Sequence, residues 1–304
     1  MGKIIVTGAS GSFGGATARG LLEKCAPEDL VFLSRTPAKL AEFAELGVEC
    51  RTADFDDPAS LVSAMAGGER MLLISTARVG TRVGQHRNAV EAAVAQGVQH
   101  IVYTSLINAD KADNPAIVKD DHRATEEIIE ASGAAWTHLR DSQYAEAIAT
   151  AMAIPSLQMG VKPDNCGDGR VGFVSRDDCV ATAVGVLTQE GHGNKAYALT
   201  GPEALSIPEA LAIVTQMTGK PIEVQPVDDE AMYEYFDAMG APRHASDIVP
   251  EGPIPWSSDD MVTFGQSIRE GYFDEVTDWV EKITGKPPKS LREVFEAHQH
   301  LWPQ

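Results

Sequence analysis

The stretch that decides the fold of this chain is Lys3-Ile4-Ile5-Val6-Thr7-Gly8-Ala9-Ser10-Gly11-Ser12-Phe13-Gly14-Gly15, with Ala16 to Leu22 behind it. The first four residues read as a buried β-strand, the last seven as a helix. A strand, a glycine-rich turn and a helix N-terminus, in that order, make a phosphate site. Unpaired N–H groups and the positive end of the helix dipole face the anion there. Gly8, Gly11 and Gly14 follow the spacing G-x-x-G-x-x-G. They serve a tight turn, backbone access to a pyrophosphate and close packing of helix on strand. Thr7, Ser10, Ser12 and Phe13 share the turn and are candidate cofactor contacts with the three glycines. Glycine turns are common, and the position between strand and helix is what makes this one informative.

Working outward, strands are expected at Lys3–Val6, Leu30–Ser34, Glu49–Ala53, Arg70–Ser75, His100–Ser105 and Ala135–Leu139. Helices read between them at Gly14–Lys24, Pro37–Leu46, Pro58–Met65, Gln85–Gln96 and Asp121–Ser132. Apolar strands alternating with amphipathic helices predict βαβ units and an α/β, doubly wound parallel Rossmann sheet. The pattern changes near Asp141. Met159 to Arg170 reads as loops or short strands. Ser175 with Asp178 resembles a capping box opening a helix to about Thr188, and Lys195–Leu199 reads as another strand. Ser206-Ile207-Pro208-Glu209 and Ser290-Leu291-Arg292-Glu293 are further helix starts, and the rest is mostly helical. Thr-Gly-Lys-Pro at Thr218 and at Thr284 reads as two helix C-caps. The expected division is a dinucleotide-binding domain over residues 1–155, rejoined by 174–200. A smaller, mostly helical substrate lobe takes 156–173 and 201–304.

The end of the second strand indicates which dinucleotide. A carboxylate for the NAD ribose belongs there, about 20 residues past the glycines. The sequence instead reads Val31-Phe32-Leu33-Ser34-Arg35-Thr36-Pro37. Arg35 offers a fork of donors suited to a phosphate, Ser34 a hydroxyl, and Lys39 lies one turn on. This favours NADPH over NADH. Asp54, after the third strand, is placed to accept the adenine amino group or to cap a helix, a role Asp57 also fits.

Composition bounds the rest. The chain has 304 residues, 43% apolar, and a net charge of −19. That charge predicts repulsion of nucleic acid and anionic membranes, so a polyanionic cofactor needs a local positive spot. No apolar run reaches membrane-spanning length, and the early first strand leaves no room for a signal peptide. Cys25, Cys50, Cys166 and Cys179 show no metal-ligand spacing; buried thiols in a reducing cytoplasm are expected, with no metal.

With these residues in place the chain resembles the NmrA-like atypical short-chain dehydrogenase/reductases, in the branch of bacterial NADPH quinone oxidoreductases and triphenylmethane reductases. The resemblance runs over nearly the whole chain. It rests on Gly8, Gly11 and Gly14, Leu33-Ser34-Arg35, Ala53-Asp54, Tyr103-Thr104-Ser105, His122-Arg123-Ala124-Thr125-Glu126, Thr137-His138-Leu139-Arg140 and Val174-Ser175-Arg176-Asp177-Asp178. His244 to Trp256 has no match. Most short-chain dehydrogenases use Tyr-x-x-x-Lys, and none of the six tyrosines here has lysine four residues on. The resemblance places His122 where isoflavone-reductase-like relatives carry lysine and the quinone-reductase branch carries histidine.

That absence has chemical meaning. Hydride delivery to a simple ketone makes an alkoxide, which needs an acid or an oxyanion site. Delivery to a quinone makes a delocalised anion, and delivery to a cationic dye a neutral product. Proximity and orientation can carry much of such a barrier. The expected function is therefore an NADPH-dependent reductase of an aromatic or quinoid small molecule. Rival readings are a redox sensor that binds NADP(H) without turnover and an isoflavone- or lignan-type reductase; a homodimer is open.

The candidate catalytic residues are His122, as proton donor or nicotinamide contact, and Tyr144, after the sixth strand. Each has a plainer alternative: an exposed histidine at a polar helix start, and packing between lobes. Ser75 and Thr76 are expected along the cofactor backbone, and Thr104 and Ser105 beside the nicotinamide, or simply capping a strand end. Relatives often carry Asn where Asp141 stands. Trp256 reads as a core anchor or lid, Trp279 and Trp302 as core or interface residues, and His86 and Asn88 as a solvated helix face.

Overall fold

The computed structural model describes residues 2–77, 79–248, 254 and 256–303. Of the unmatched segment from His244 to Trp256, residues 249–253 and 255 lie outside the described residues. The first half runs β1 (Lys3–Val6), α1 (Ser12–Leu22), β2 (Leu30–Ser34), α2 (Ala41–Glu45), β3 (Glu49–Thr52), α3 (Pro58–Ala64), β4 (Gly68–Leu73), α4 (Arg82–Ala95), β5 (His100–Leu106), α5 (Val118–Ala131) and β6 (Ala135–Asp141). After β6 come α6 (Ala145–Ala147), α7 (Ala153–Met159), β7 (Val161–Asp164), β8 (Arg170–Val171), α8 (Arg176–Thr188) and β9 (Lys195–Leu199). The chain ends with β10 (Leu205–Ser206), α9 (Ile207–Thr218), β11 (Glu223–Pro226), α10 (Asp229–Ala238), α11 (Ser258–Arg269), α12 (Trp279–Thr284) and α13 (Leu291–His298).

Seven parallel strands form one sheet in the order β3-β2-β1-β4-β5-β6-β9. This is the doubly wound Rossmann order, with its switch point between β1 and β4. Strand alternation divides the core. Ile4, Val6, Phe32, Leu72, Val102 and Leu139 join the buried faces of α1 and α8. Ile5, Val31, Leu33, Met71, Ile101 and Tyr103 join α3, α4 and α5. Both faces being covered explains why β2 is buried at every position. A third core gathers Ile107, Ile148, Phe173, Leu211, Phe273 and Phe295 from the later segments.

Several boundaries differ from the sequence reading. Pro37–Leu40 is a 3₁₀ turn before α2, so the expected helix is split. The fourth strand ends at Leu73 because the next N–H groups leave the ladder for side chains: Ile74 N–H goes to Thr7 Oγ1 and Ser75 N–H to Thr104 Oγ1. α4 and α5 each begin three residues before Gln85 and Asp121, so Arg82 and Val118 lie within them. The Ser175 box does not close. Ser175 Oγ accepts from Asp177 N–H, while an Asp178 oxygen accepts from Lys289 N–H. The boxes at Ser206 and Ser290 do close, and Gly219 and Gly285 cap their helices in the left-handed conformation. The C-terminal part also contains β10, paired with β8, and β11, paired with β7. Trp302 is buried with its indole N–H on Ala149 O, Trp256 packs edge-on against Phe236, and Trp279 is exposed beside Tyr197 rather than in the core.

Candidate active site

The C-terminal ends of β1 to β4 surround a cavity of about 520 Å³. Thr7, Gly8, Ser10 and Gly11 form one wall, and Ser34, Arg35, Lys39 and Asp54 another. Ser75 and Thr76 close the side towards β4. Gly8 has φ +61°, a conformation that favours glycine. A Cβ on Gly14 would lie 2.3 Å from Gly8 O, so only glycine lets α1 pack this closely on the turn. Gly11 N–H donates to Gly8 O at 2.9 Å and tightens the turn. Gly11 precedes α1 as its N-cap residue, with no side-chain cap, and the first turn holds no acidic residue. Gly15 N–H bonds Gly11 O, so the N–H groups of Ser12, Phe13 and Gly14 precede the helical ladder. These three residues form the helix end behind the cavity lining.

Among the described residues, Arg35 and Lys39 make no ion pair and no side-chain hydrogen bond, although the chain carries 44 acidic residues. Two cations free of protein partners thus face one cavity of a strongly acidic protein, where an anion would meet them. Ser34 Oγ is partly committed, accepting Thr36 N–H at 3.0 Å and lying 2.8 Å from Ser10 Oγ. Asp57 caps α3 through Ala59 N–H, which leaves Asp54 on the cavity wall, its Oδ1 accepting from Asp56 N–H.

The segment leaving β4 is held residue by residue. Besides the Thr7 and Thr104 bonds, Thr76 N–H donates to His86 Nε2 at 3.1 Å, and Thr76 Oγ1 donates to Gln85 Oε1 at 2.8 Å. Gln85 also binds both oxygens of Asp56 across the cavity mouth. His86 is fully buried and Asn88 half-buried with its amide on Phe55 O, so they do not form the expected solvated face. Thr104 thus acts through Ser75 and does not line the cavity. Ser105 Oγ donates to Glu126 Oε1, away from the cavity lining.

His122 is buried, not exposed, at the start of α5. Arg82 Nη1 lies 3.1 Å from its Nε2, and Tyr103 Oη 2.9 Å from its Nδ1. An arginine can only donate, so Nε2 accepts and Nδ1 carries the ring proton towards Tyr103. Burial, then the Arg82 cation, holds the His122 pKa well below its ordinary value. Tyr144 is half-buried; its hydroxyl donates to Asp141 Oδ2 at 2.6 Å and its ring lies 5.1 Å from the Arg176 guanidinium carbon. Ser142 Oγ and Gln143 Oε1, between them, are buried and have no hydrogen-bond partner among the described residues. Arg140 forks Glu126 with two bonds of 2.9 and 2.8 Å. Burial pushes Glu126 up, but these bonds outweigh it and hold the carboxyl below its usual range. Glu126, Glu130 and His138 also lie within 4.8 Å of one another, but Arg140 and Arg123 already occupy Glu126.

Residues 8–190 match the family model described as NAD(P)H-binding. The chain is 33% identical over 290 residues to quinone oxidoreductase 2 of Escherichia coli, covering 95% of this chain and 96% of that one. The structure of an NADPH-dependent quinone oxidoreductase from Escherichia coli complexed with NADPH superimposes with a TM-score of 0.85 at 32% identity, covering 98% and 99% of the two chains. The Citrobacter triphenylmethane reductase complexed with NADP(H) gives 0.84 at 30% identity, covering 97% and 100%. The chain belongs to the NAD(P)H-binding family, in its NmrA-like group.

This NAD(P)H-binding protein is an oxidoreductase. Its cavity fits the cofactor on its own evidence: an uncapped helix start, a turn in which Gly14 leaves no room for a side chain, and two unpaired cations. Sequence reasoning missed Asp56, Gln85 and His86. Gln85 and His86 open a helix whose start reads as polar, and only the return of α4 beneath β4 brings them to the site. Among the described residues no helix is long and apolar enough to cross a membrane.

Proposed function

We propose that this oxidoreductase uses NADPH to reduce an electron-poor aromatic small molecule, quinones first and conjugated dyes next. The observation that carries the NADPH half is the unpaired Arg35 and Lys39 in a cavity whose second-strand end lacks a carboxylate. Arg35 would grip the 2′-phosphate in a fork, Lys39 would add a second charge, and Asp54 would meet the adenine amino group. The glycine turn and the first turn of α1, Ser12 to Gly14, would hold the diphosphate.

The bound nicotinamide supplies the hydride. Support for an electron-poor acceptor comes from the state of the candidate acids. His122 is neutral and both its nitrogens are engaged inside the protein, and the Tyr144 hydroxyl is spent on Asp141. A site without a ready acid suits an acceptor whose product anion is already delocalised. We assign His122 a role in orientation through Tyr103, and Tyr144 one wall of the substrate crevice. Ser142 and Gln143 would receive polar atoms of the substrate, and residues 156–173 with 201–304 would form its lobe. The relatives named as a quinone oxidoreductase and an NAD(P)H azoreductase support this choice of substrate. NADPH oxidation with a panel of quinones, azo dyes and simple ketones tests it. Turnover of the first two classes but not ketones is expected. NADPH binding without any turnover would favour the sensor.

A further inference from the structure

Three consecutive N–H groups leave β4, those of Ile74, Ser75 and Thr76, and each donates to a side chain: Thr7 Oγ1, Thr104 Oγ1 and His86 Nε2. The first two acceptors stand just past β1 and within β5, the two strands that flank β4. The third comes from a helix and is the one group of the three that could exist in more than one protonation state. We propose that His86 is a positioning residue for the cofactor. As a fixed neutral acceptor for the Thr76 N–H, it sets the segment that walls the NADPH cavity and ties it to the His122–Tyr103 pair.

The hydrogen bonds assign the ring proton of each histidine along this path. Thr76 N–H can only donate, so His86 Nε2 is bare and its Nδ1 carries the proton. Nδ1 lies 2.9 Å from Thr125 Oγ1, whose own proton goes to Asp121 O at 2.8 Å. Thr125 therefore accepts from His86, and the His86 ring itself packs edge-on against Tyr103, with ring centroids 5.5 Å apart. Tyr103 in turn receives the ring proton of His122. The path runs from the cavity wall at Thr76 to His86 by a hydrogen bond, from His86 to Tyr103 by a ring contact and from Tyr103 to His122 by a hydrogen bond, and its groups are buried apart from Thr76 itself. Burial and the Arg82 cation push His86 down to about 3, so the acceptor lone pair is kept at neutral pH. Gln85 holds the Thr76 side chain from the adjacent position, so one dipeptide of α4 fixes both the backbone and the hydroxyl of a cavity residue. A wall that is already ordered lowers the entropic cost of binding.

The inference rests on the cavity being the cofactor site, and the measurements separate the two. His86→Asn keeps a polar side chain but shortens it, leaving no acceptor at the Nε2 position. His86→Gln returns an acceptor to that reach. In the full-length protein, amide hydrogen exchange of a peptide spanning residues 74–77 and the dissociation constant of NADPH are measured, with thermal unfolding as the check on folding. The Asn variant should exchange faster in that peptide and bind NADPH about 10-fold more weakly, and the Gln variant should recover both to within about threefold, the scale of one lost hydrogen bond. A folded Asn variant with parental exchange and affinity overturns the proposal. So does a Gln variant as impaired as Asn, which would make His86 a matter of packing alone. Failure of the parent protein to bind NADPH would instead remove the cofactor assignment. If the Asn variant does not fold, a folded Gln variant with parental exchange and affinity supports the proposal, and one impaired in both overturns it.

Discussion

His122 Nε2 lies 3.1 Å from Arg82 Nη1, and this contact fixes where the only proton of the ring goes. With the arginine as donor, the ring is a neutral Nδ1–H tautomer bonded to Tyr103. Replacing His122 by Ala should lower turnover with a reactive quinone about 10- to 100-fold while weakening NADPH binding less. Single-turnover NADPH oxidation, set beside a binding titration, reads the difference. An unchanged rate would pass the role to Tyr144.

Arg35 and Lys39 have no protein partner among the described residues, so a bound 2′-phosphate would meet cations not already neutralised. Arg35→Ala should weaken NADPH binding by about 10- to 100-fold, the range for one charge-assisted contact, and leave NADH nearly unchanged. Calorimetric titration with both cofactors checks this. Equal affinity of the parent for NADPH and NADH would end the assignment.

Gly11 and Gly14 fail differently when filled. A Cβ at Gly11 meets only Gly8 O, at 3.3 Å, whereas one at Gly14 comes within 2.3 Å of it. Gly11→Val should remain folded but lose NADPH binding, because the side chain enters space the diphosphate needs. Gly14→Ala should lose stability first, by a melting-temperature drop visible without any cofactor. A folded Gly11→Val protein that keeps its affinity would reduce the turn to a structural feature.

Asp141 gives a pH dependence with a definite sign. Burial pushes its carboxyl up to about 7, with the Tyr144 hydrogen bond opposing. An unfolded aspartate titrates near about 3.9. Between those values the folded chain keeps a proton that the unfolded chain has released. Its contribution therefore falls as pH rises from about 4 to about 7 and is constant above that. Asp141→Asn cannot ionise and still offers Tyr144 an oxygen. Its advantage over the parent should be absent near about pH 4 and complete above about pH 7. Urea unfolding across this range decides it, and an advantage independent of pH would show the native carboxyl to be ionised throughout.

The sequence by itself determined the sheet and one end of the cavity at its edge. β1 and β2 have the expected boundaries because their apolar runs are local signals that burial on both faces then satisfies. Gly8, Gly11, Arg35 and Asp54 were legible as neighbours because the glycine turn and the strand ends bring them to one edge of the sheet, where they line the same cavity. Tertiary structure alone decided the state of the candidate acids. Whether His122 is exposed or buried depends on Arg82 and Tyr103, 40 and 19 residues away in sequence. His86 reads as a solvated position until α4 packs under β4 and its ring becomes the acceptor for Thr76. Periodicity reports which face of an element is apolar. It cannot report which distant donor will meet a polar group on the buried side, and that pairing sets the proton positions in this site.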